Sequence, residues 1–196
     1  MTQIFGYFIE NLPKQDEYLT IGFSPSSQPL KKRWQNNGLS ADFIAEYFKT
    51  FFVSQDKYLD EEDTIELDNL KDAVKYIANE LLENAMKFQA ETVPFTAKIG
   101  FSLYEDKLIF CVTNGLTENQ INPFQAFINR LLTEEPDDLY FEAMKANARK
   151  TADAPSRLGL LSMLCDYSAR LGWKFERLPQ ESNIMVVSTM VCLEAS

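Results

Sequence analysis

The stretch that most restricts how this chain can fold is residues 67–89. Within it Leu70, Val74, Ile77, Leu81, Ala85 and Phe88 recur at intervals of three and four. On a helix that spacing gathers them into one apolar stripe. A stripe of this length has to be covered, so the helix must lie against a second layer. The next residues supply one. Residues 97–104 (AKIGFSLY) and 107–113 (KLIFCVT) read as two strands joined at Glu105-Asp106 by a tight hairpin. Asn114-Gly115 is a turn dipeptide and is expected to stop the second strand.

Residues 116–156 form a long insertion. Two helices are expected in it, around 123–132 and 139–150, separated by EEPDD at 134–138. Residues 156–171 read as another helix ending near Gly172, followed by an antiparallel pair at 173–177 and 183–192. Residues 1–65 read as an N-terminal extension of the same globule, preceding a main domain at 66–196. The extension holds a strand at 18–24, a helix at 40–53 opened by Ser40 as N-cap, and a solvated acidic loop at 59–64. Helices alternating with strand pairs predict an α/β fold: a two-layer sandwich whose mixed or antiparallel sheet is covered by helices on one face.

Charge and missing residue types narrow the function. Nineteen Lys and Arg against 29 Asp and Glu leave a net charge of −10. That balance repels phosphate backbones and anionic membranes, so neither nucleic acid nor a membrane surface is an expected partner. A neutral or basic protein fits better. The chain has no histidine, which removes His-ligated zinc, Ser-His and Cys-His nucleophiles, and a phospho-accepting histidine. Cys111, Cys165 and Cys192 lie far apart in apolar runs and are expected to be buried, reduced thiols. The first residues carry early acids and do not read as a signal peptide, and no run approaches the ~20 apolar residues of a membrane span. A cytoplasmic protein is expected.

Glu80, Asn84 and Lys87 are spaced i, i+4, i+7 and fall within about 60° of one another on a helix. Asn84 lies only about 20° from Ile77, so this polar strip borders the buried stripe. There an amide oxygen is a suitable hard ligand for Mg²⁺. A half-buried Glu is suited to act as general base, because burial raises its pKa toward working pH. The same stretch equally accommodates a plain surface pair, Glu83 with Lys87 at i, i+4.

The run NELLENAMKF at 79–88 closely resembles the N box of the GHKL superfamily. That superfamily includes histidine-kinase catalytic domains, gyrase and heat-shock chaperone ATPase domains, and anti-sigma-factor serine kinases. The resemblance implies ATP and Mg²⁺ as cofactors, with Glu80 as the catalytic base, Asn84 as the Mg²⁺ ligand and Lys87 at the family's lysine. It covers roughly residues 66–192, and the insertion at 116–156 would correspond to the family's mobile lid. The chain as a whole is similar to a family of small cyanobacterial regulators with a GHKL-like domain.

The glycine boxes depart from the family pattern. The first carries Asp-x-Gly-x-Gly, whereas Thr113-Asn114-Gly115-Leu116 stands here. Asn114 and Gly115 would then line the adenine pocket, with an amide where the family has a charge, or Thr113 would take the Asp position. The second box, Gly-x-Gly-Leu, resembles Arg157-Leu158-Gly159-Leu160. Arg157 would contact phosphate or fill its space, and Gly159 would let backbone N–H groups approach the phosphates or serve only as a packing glycine.

Two functions from different classes follow. One is a partner-switching signalling regulator resembling anti-sigma-factor serine kinases, which phosphorylates or sequesters a small STAS-like partner. The other is a non-catalytic binding module that keeps the fold and binds a protein or another flat ligand. Homodimerisation through the strand at 18–24 is consistent with either.

Overall fold

The computed structural model describes residues 2–13, 17–23, 30–52, 61–88, 95–148, 158–178 and 184–194. Its order is β1 (Gln3–Gly6), β2 (Glu17–Phe23), α1 (Leu30–Phe52), α2 (Glu61–Phe88), β3 (Ala97–Leu103), β4 (Lys107–Leu116), α3 (Glu118–Thr133), α4 (Pro136–Ala148), α5 (Leu158–Cys165), β5 (Arg170–Arg177) and β6 (Met185–Glu194). The strands make one six-stranded sheet in the order β1-β5-β6-β4-β3-β2, and every pairing is antiparallel. The expected two-layer α/β sandwich is present, with an antiparallel rather than mixed sheet.

Strand alternation divides the sheet into two faces. Phe101, Leu108, Phe110, Val112, Trp173, Phe175, Val187 and Val191 pack into the main core with Ile77, Leu81 and Ala85 of α2. The stripe anticipated between residues 67 and 89 therefore does lie on the sheet. In front of it, Ala41, Ile44, Ala45 and Phe48 of α1 join the same core. Lys49–Asp68, Lys71–Glu46 and Lys75–Asp42 link α1 to α2. These pairs are largely solvated and add little. Both outer strands, β1 and β2, come from the N-terminal extension, so it is built into the sheet instead of leaning on it.

The face opposite the helices is crossed by the segment after β1. Tyr7, Phe8, Ile9 and Leu12 pack on Ile109, Met190 and Cys192. Tyr7 donates its N–H to the Leu171 carbonyl at 2.8 Å, and the Arg170 guanidinium lies 4.0 Å from the Tyr7 ring centroid. Gly172 makes the crossing possible: a Cβ there would overlap the Tyr7 carbonyl and stand 2.5 Å from the Phe8 nitrogen. Both obstacles are backbone and cannot rotate away. Gly172→Ala is expected to cost about 2–3 kcal/mol and to expose residues 7–12 to limited proteolysis. Gly100→Ala, whose Cβ would come no nearer than 3.9 Å to the Cys111 carbonyl, is the matched control and should leave the segment protected.

Several boundaries differ from the sequence reading. The helix expected from Ser40 starts at Leu30, because the good helix formers Leu30, Lys31, Lys32, Arg33 and Gln35 carry it back past Gly38. Glu61–Thr64 is not a loop but the first turn of α2, where acids face the positive end of the helix dipole. Asn114-Gly115 does not end β4: the strand runs on, with Asn114 paired to Val187, Gly115 to Val186 and Leu116 to Met185. The helix expected to reach Leu171 stops at Cys165. Ser168 takes φ +51° and turns the chain, which frees Arg170 and Leu171 to pair with Cys192 and Val191. Cys192 is buried, whereas Cys111 and Cys165 are only half-buried, and all three thiols are free. Among the described residues no helix is long and apolar enough to cross a membrane.

Candidate functional site

A cavity of about 290 Å³ opens between the helix layer and the centre of the sheet. Its walls follow from the register. Val112, Asn114 and Leu116 alternate onto the helix-side face of β4, and Val187 and Thr189 of β6 stand beside them. Glu80, Leu81, Asn84 and Phe88 descend from α2, Gly159 and Leu160 come from the first turn of α5, and α3 closes the space with Phe124 and Phe127. The volume is at the lower end for small-molecule sites.

Four of the residues singled out from the sequence meet here: Glu80, Asn84, Asn114 and Gly159 all line the one cavity. Gly115 and Lys87 do not join them. Gly115 follows Asn114 on the strand and so faces the opposite side of the sheet. Lys87 is exposed, its Nζ 5.8 Å from the Phe88 ring centroid. Arg157 lies outside the described residues. The alternative surface pair is not formed either, because Glu83 accepts a hydrogen bond from Asn79 Nδ2 at 3.2 Å.

Each of the four has a distinct environment. Burial is the main cause that pushes the Glu80 carboxyl above its ordinary range; the charge of Glu83 adds to this and Lys87 opposes it. Gly159 is the floor on which Glu80 rests: a Cβ there would overlap the carboxylate and stand 2.6 Å from Glu80 Cδ. No larger residue leaves Glu80 in place. Asn114 is 5% exposed, and among the described residues its amide has no hydrogen-bond partner. An amide in a cavity wall can both donate and accept hydrogen bonds. Asn84 is half-buried one turn beyond Glu80 on the same face of α2.

The sequence reading did not single out Thr189, Asn119, Gln120, Phe124 or Phe127. Thr189 is brought in by pairing with Val112 across the sheet, which no local pattern reveals. The α3 residues carried a readable signal, since Thr117-x-x-Gln120 is a capping-box spacing that marks a helix start. Gln120 Oε1 accepts from the Thr117 N–H at 2.8 Å, and Gln120 Nε2 donates to the Phe88 carbonyl at 3.4 Å. The start of α3 is thereby tied to the end of α2. Pro123, inside α3, has no N–H to give the Asn119 carbonyl one turn before it. The part of the expected lid that is described, α3 and α4, is packed on the body, with Phe127, Ile128, Leu131 and Leu139 buried.

The described lining thus combines a carboxylate, the carboxamides of Asn84, Asn114, Asn119 and Gln120, one hydroxyl and an apolar remainder, with no cationic side chain. Such a lining sets hydrogen-bonding groups beside aromatic faces. For a metal the described lining offers one carboxylate, Glu80, and otherwise neutral amide and hydroxyl oxygens. This suits Mg²⁺, which keeps most of its waters or takes oxygens from a ligand.

Fold and site together define a two-layer α/β sandwich with a ring-sized cavity between its layers. The solved structure of the SiaB–SiaC complex from Pseudomonas aeruginosa contains a chain with this fold: TM-score 0.52, 14% identity, and 89% of each chain covered. No family model matches the chain, and no curated protein matches it.

Proposed function

We propose that this chain is a partner-switching signalling regulator with a GHKL-type nucleotide site that acts on a small STAS-like protein. The observation that carries the reading is the convergence of Glu80 and Asn84 of α2 with Asn114 of β4 and Gly159 of α5 on one cavity. These are the positions that the N-box and glycine-box resemblances assign to catalysis, Mg²⁺ and nucleotide. The similar fold in a two-protein complex supports the partner half of the reading. In it the amide of Asn114 receives the base, Asn84 holds Mg²⁺, and Glu80 takes the proton of an acceptor hydroxyl. Bound Mg²⁺ would offset charge on the phosphates of ATP, which no described lining cation does. The net charge of −10 favours a partner with a neutral or basic face.

A calorimetric titration with ATP and Mg²⁺ tests this. Binding is expected in the micromolar range, dependent on Mg²⁺, and weakened at least ~10-fold by Asn84→Ala. Absence of binding by the unaltered protein would sink the nucleotide reading. The lack of cationic side chains in the described lining favours one alternative in that event: a non-catalytic module whose cavity holds an uncharged flat ligand or serves partner recognition.

A further inference from the structure

Asn114 puts a polar group into an otherwise apolar stretch of the cavity wall. It is 5% exposed. Val112 and Leu116 flank it on the same face of β4, and Val187 stands directly across on β6. Thr189, 9% exposed, is its diagonal neighbour on that face. β4 is paired to β6 along its whole length, which holds the backbone in place and leaves recognition here to the side chains. A carboxamide carries a donor nitrogen and an acceptor oxygen in nearly the same shape, and half a turn about its last torsion exchanges them. A hydroxyl likewise donates or accepts. A carboxylate in the same position would only accept and would thereby fix the direction of the hydrogen bond. Asn114 leaves that direction open.

We propose that Asn114 makes the cavity tolerant of the purine base: it receives 6-amino and 6-oxo purines alike by turning its amide to suit. This rests on the nucleotide reading of the cavity. Adenine presents a donor at the 6-position beside an acceptor at N1, whereas hypoxanthine presents an acceptor at the 6-position beside a donor at N1. The amide meets the first edge with its oxygen toward the amino group and its N–H toward N1. It meets the second with the two exchanged. The apolar side chains of Val112, Leu116 and Val187 are indifferent to that exchange.

The experiment is calorimetry with ATP and ITP, each with Mg²⁺, on the unaltered protein and on Asn114→Leu. The two triphosphates differ only in the base. Leucine keeps nearly the volume of the side chain and removes both hydrogen-bonding groups, and circular dichroism checks that the fold is kept. The unaltered protein is expected to bind ATP and ITP within about 10-fold of each other, where a site built for one hydrogen-bond direction rejects the other far more strongly. Asn114→Leu is expected to weaken both by at least ~10-fold. A larger preference for either triphosphate in the unaltered protein overturns the proposal without any variant. A loss in Asn114→Leu that is confined to one triphosphate, or no loss, overturns it too, and each of these results leaves the nucleotide site standing. If the unaltered protein binds neither triphosphate, the nucleotide reading falls and the tolerance falls with it.

Discussion

Replacing Trp173 by alanine is expected to remove about 3–5 kcal/mol of stability, the largest loss any single core substitution should produce here. Trp173 is 0% exposed and is the largest fully buried side chain. It stands at the centre of β5, paired to Thr189 on one side and Phe5 on the other. The layer between sheet and helices would be left with a cavity that its neighbours, held by the sheet register, cannot close. Trp173→Phe separates shape from polarity. The Trp173 Nε1 donor is buried and, among the described residues, has no acceptor. An unmade hydrogen bond of this kind costs about 1–3 kcal/mol, so phenylalanine removes a liability together with some packing. Its net cost should be below about 1.5 kcal/mol. Urea unfolding followed by circular dichroism reads both values. A phenylalanine variant as unstable as alanine would mean that the indole N–H is bonded in solution.

The second large effect concerns chemistry. Under the proposed function, Glu80→Ala should lower phosphate release from ATP·Mg²⁺, and transfer to a supplied STAS-domain protein, by about 10²–10⁴-fold. The expectation follows from the Glu80 environment: burial, then Glu83, hold its carboxyl above the ordinary range against the pull of Lys87. A carboxylate raised in this way accepts a proton more readily than an exposed one. Binding of ATP·Mg²⁺ should persist in the variant, because the adenine-side groups are untouched. Turnover unchanged by the substitution would remove Glu80 from the role of base. Glu80→Gln, which keeps the size of the side chain, should likewise fail to turn ATP over.

The helix from 67 onward and the hairpin after it were legible because their signals are local: a 3.6-residue stripe and a two-residue turn between alternating strands. β1 was not legible. It is four residues long and is a strand only because β5 offers it an edge. The limits of α5 failed for a related reason, since Leu158–Cys165 and the following Leu171 are alike in apolarity, and only the turn at Ser168 tells helix from strand. In the site, Glu80 and Asn84 could be read from one helix, and Asn114 and Gly159 from motif resemblance. Thr189 could not, because pairing across β4 and β6 alone places it in the wall. Asn114-Gly115 misled as a turn because cross-strand partners override a dipeptide's local preference.

The sheet edge made by β1 also fixes an order of events in the life of the chain. Gln3, Ile4 and Phe5 pair with Phe175, Lys174 and Trp173, so these residues await partners that are synthesised much later. At ~5–20 residues per second that interval is roughly 10–30 s. Throughout it Ile4, Phe5, Tyr7, Phe8 and Ile9 have neither strand nor face to cover them. Contacts this distant in sequence also slow the closing of the fold. A nascent chain of this protein carries a sticky segment until the residues of β5 have been made, which makes that segment the natural point for a chaperone to hold.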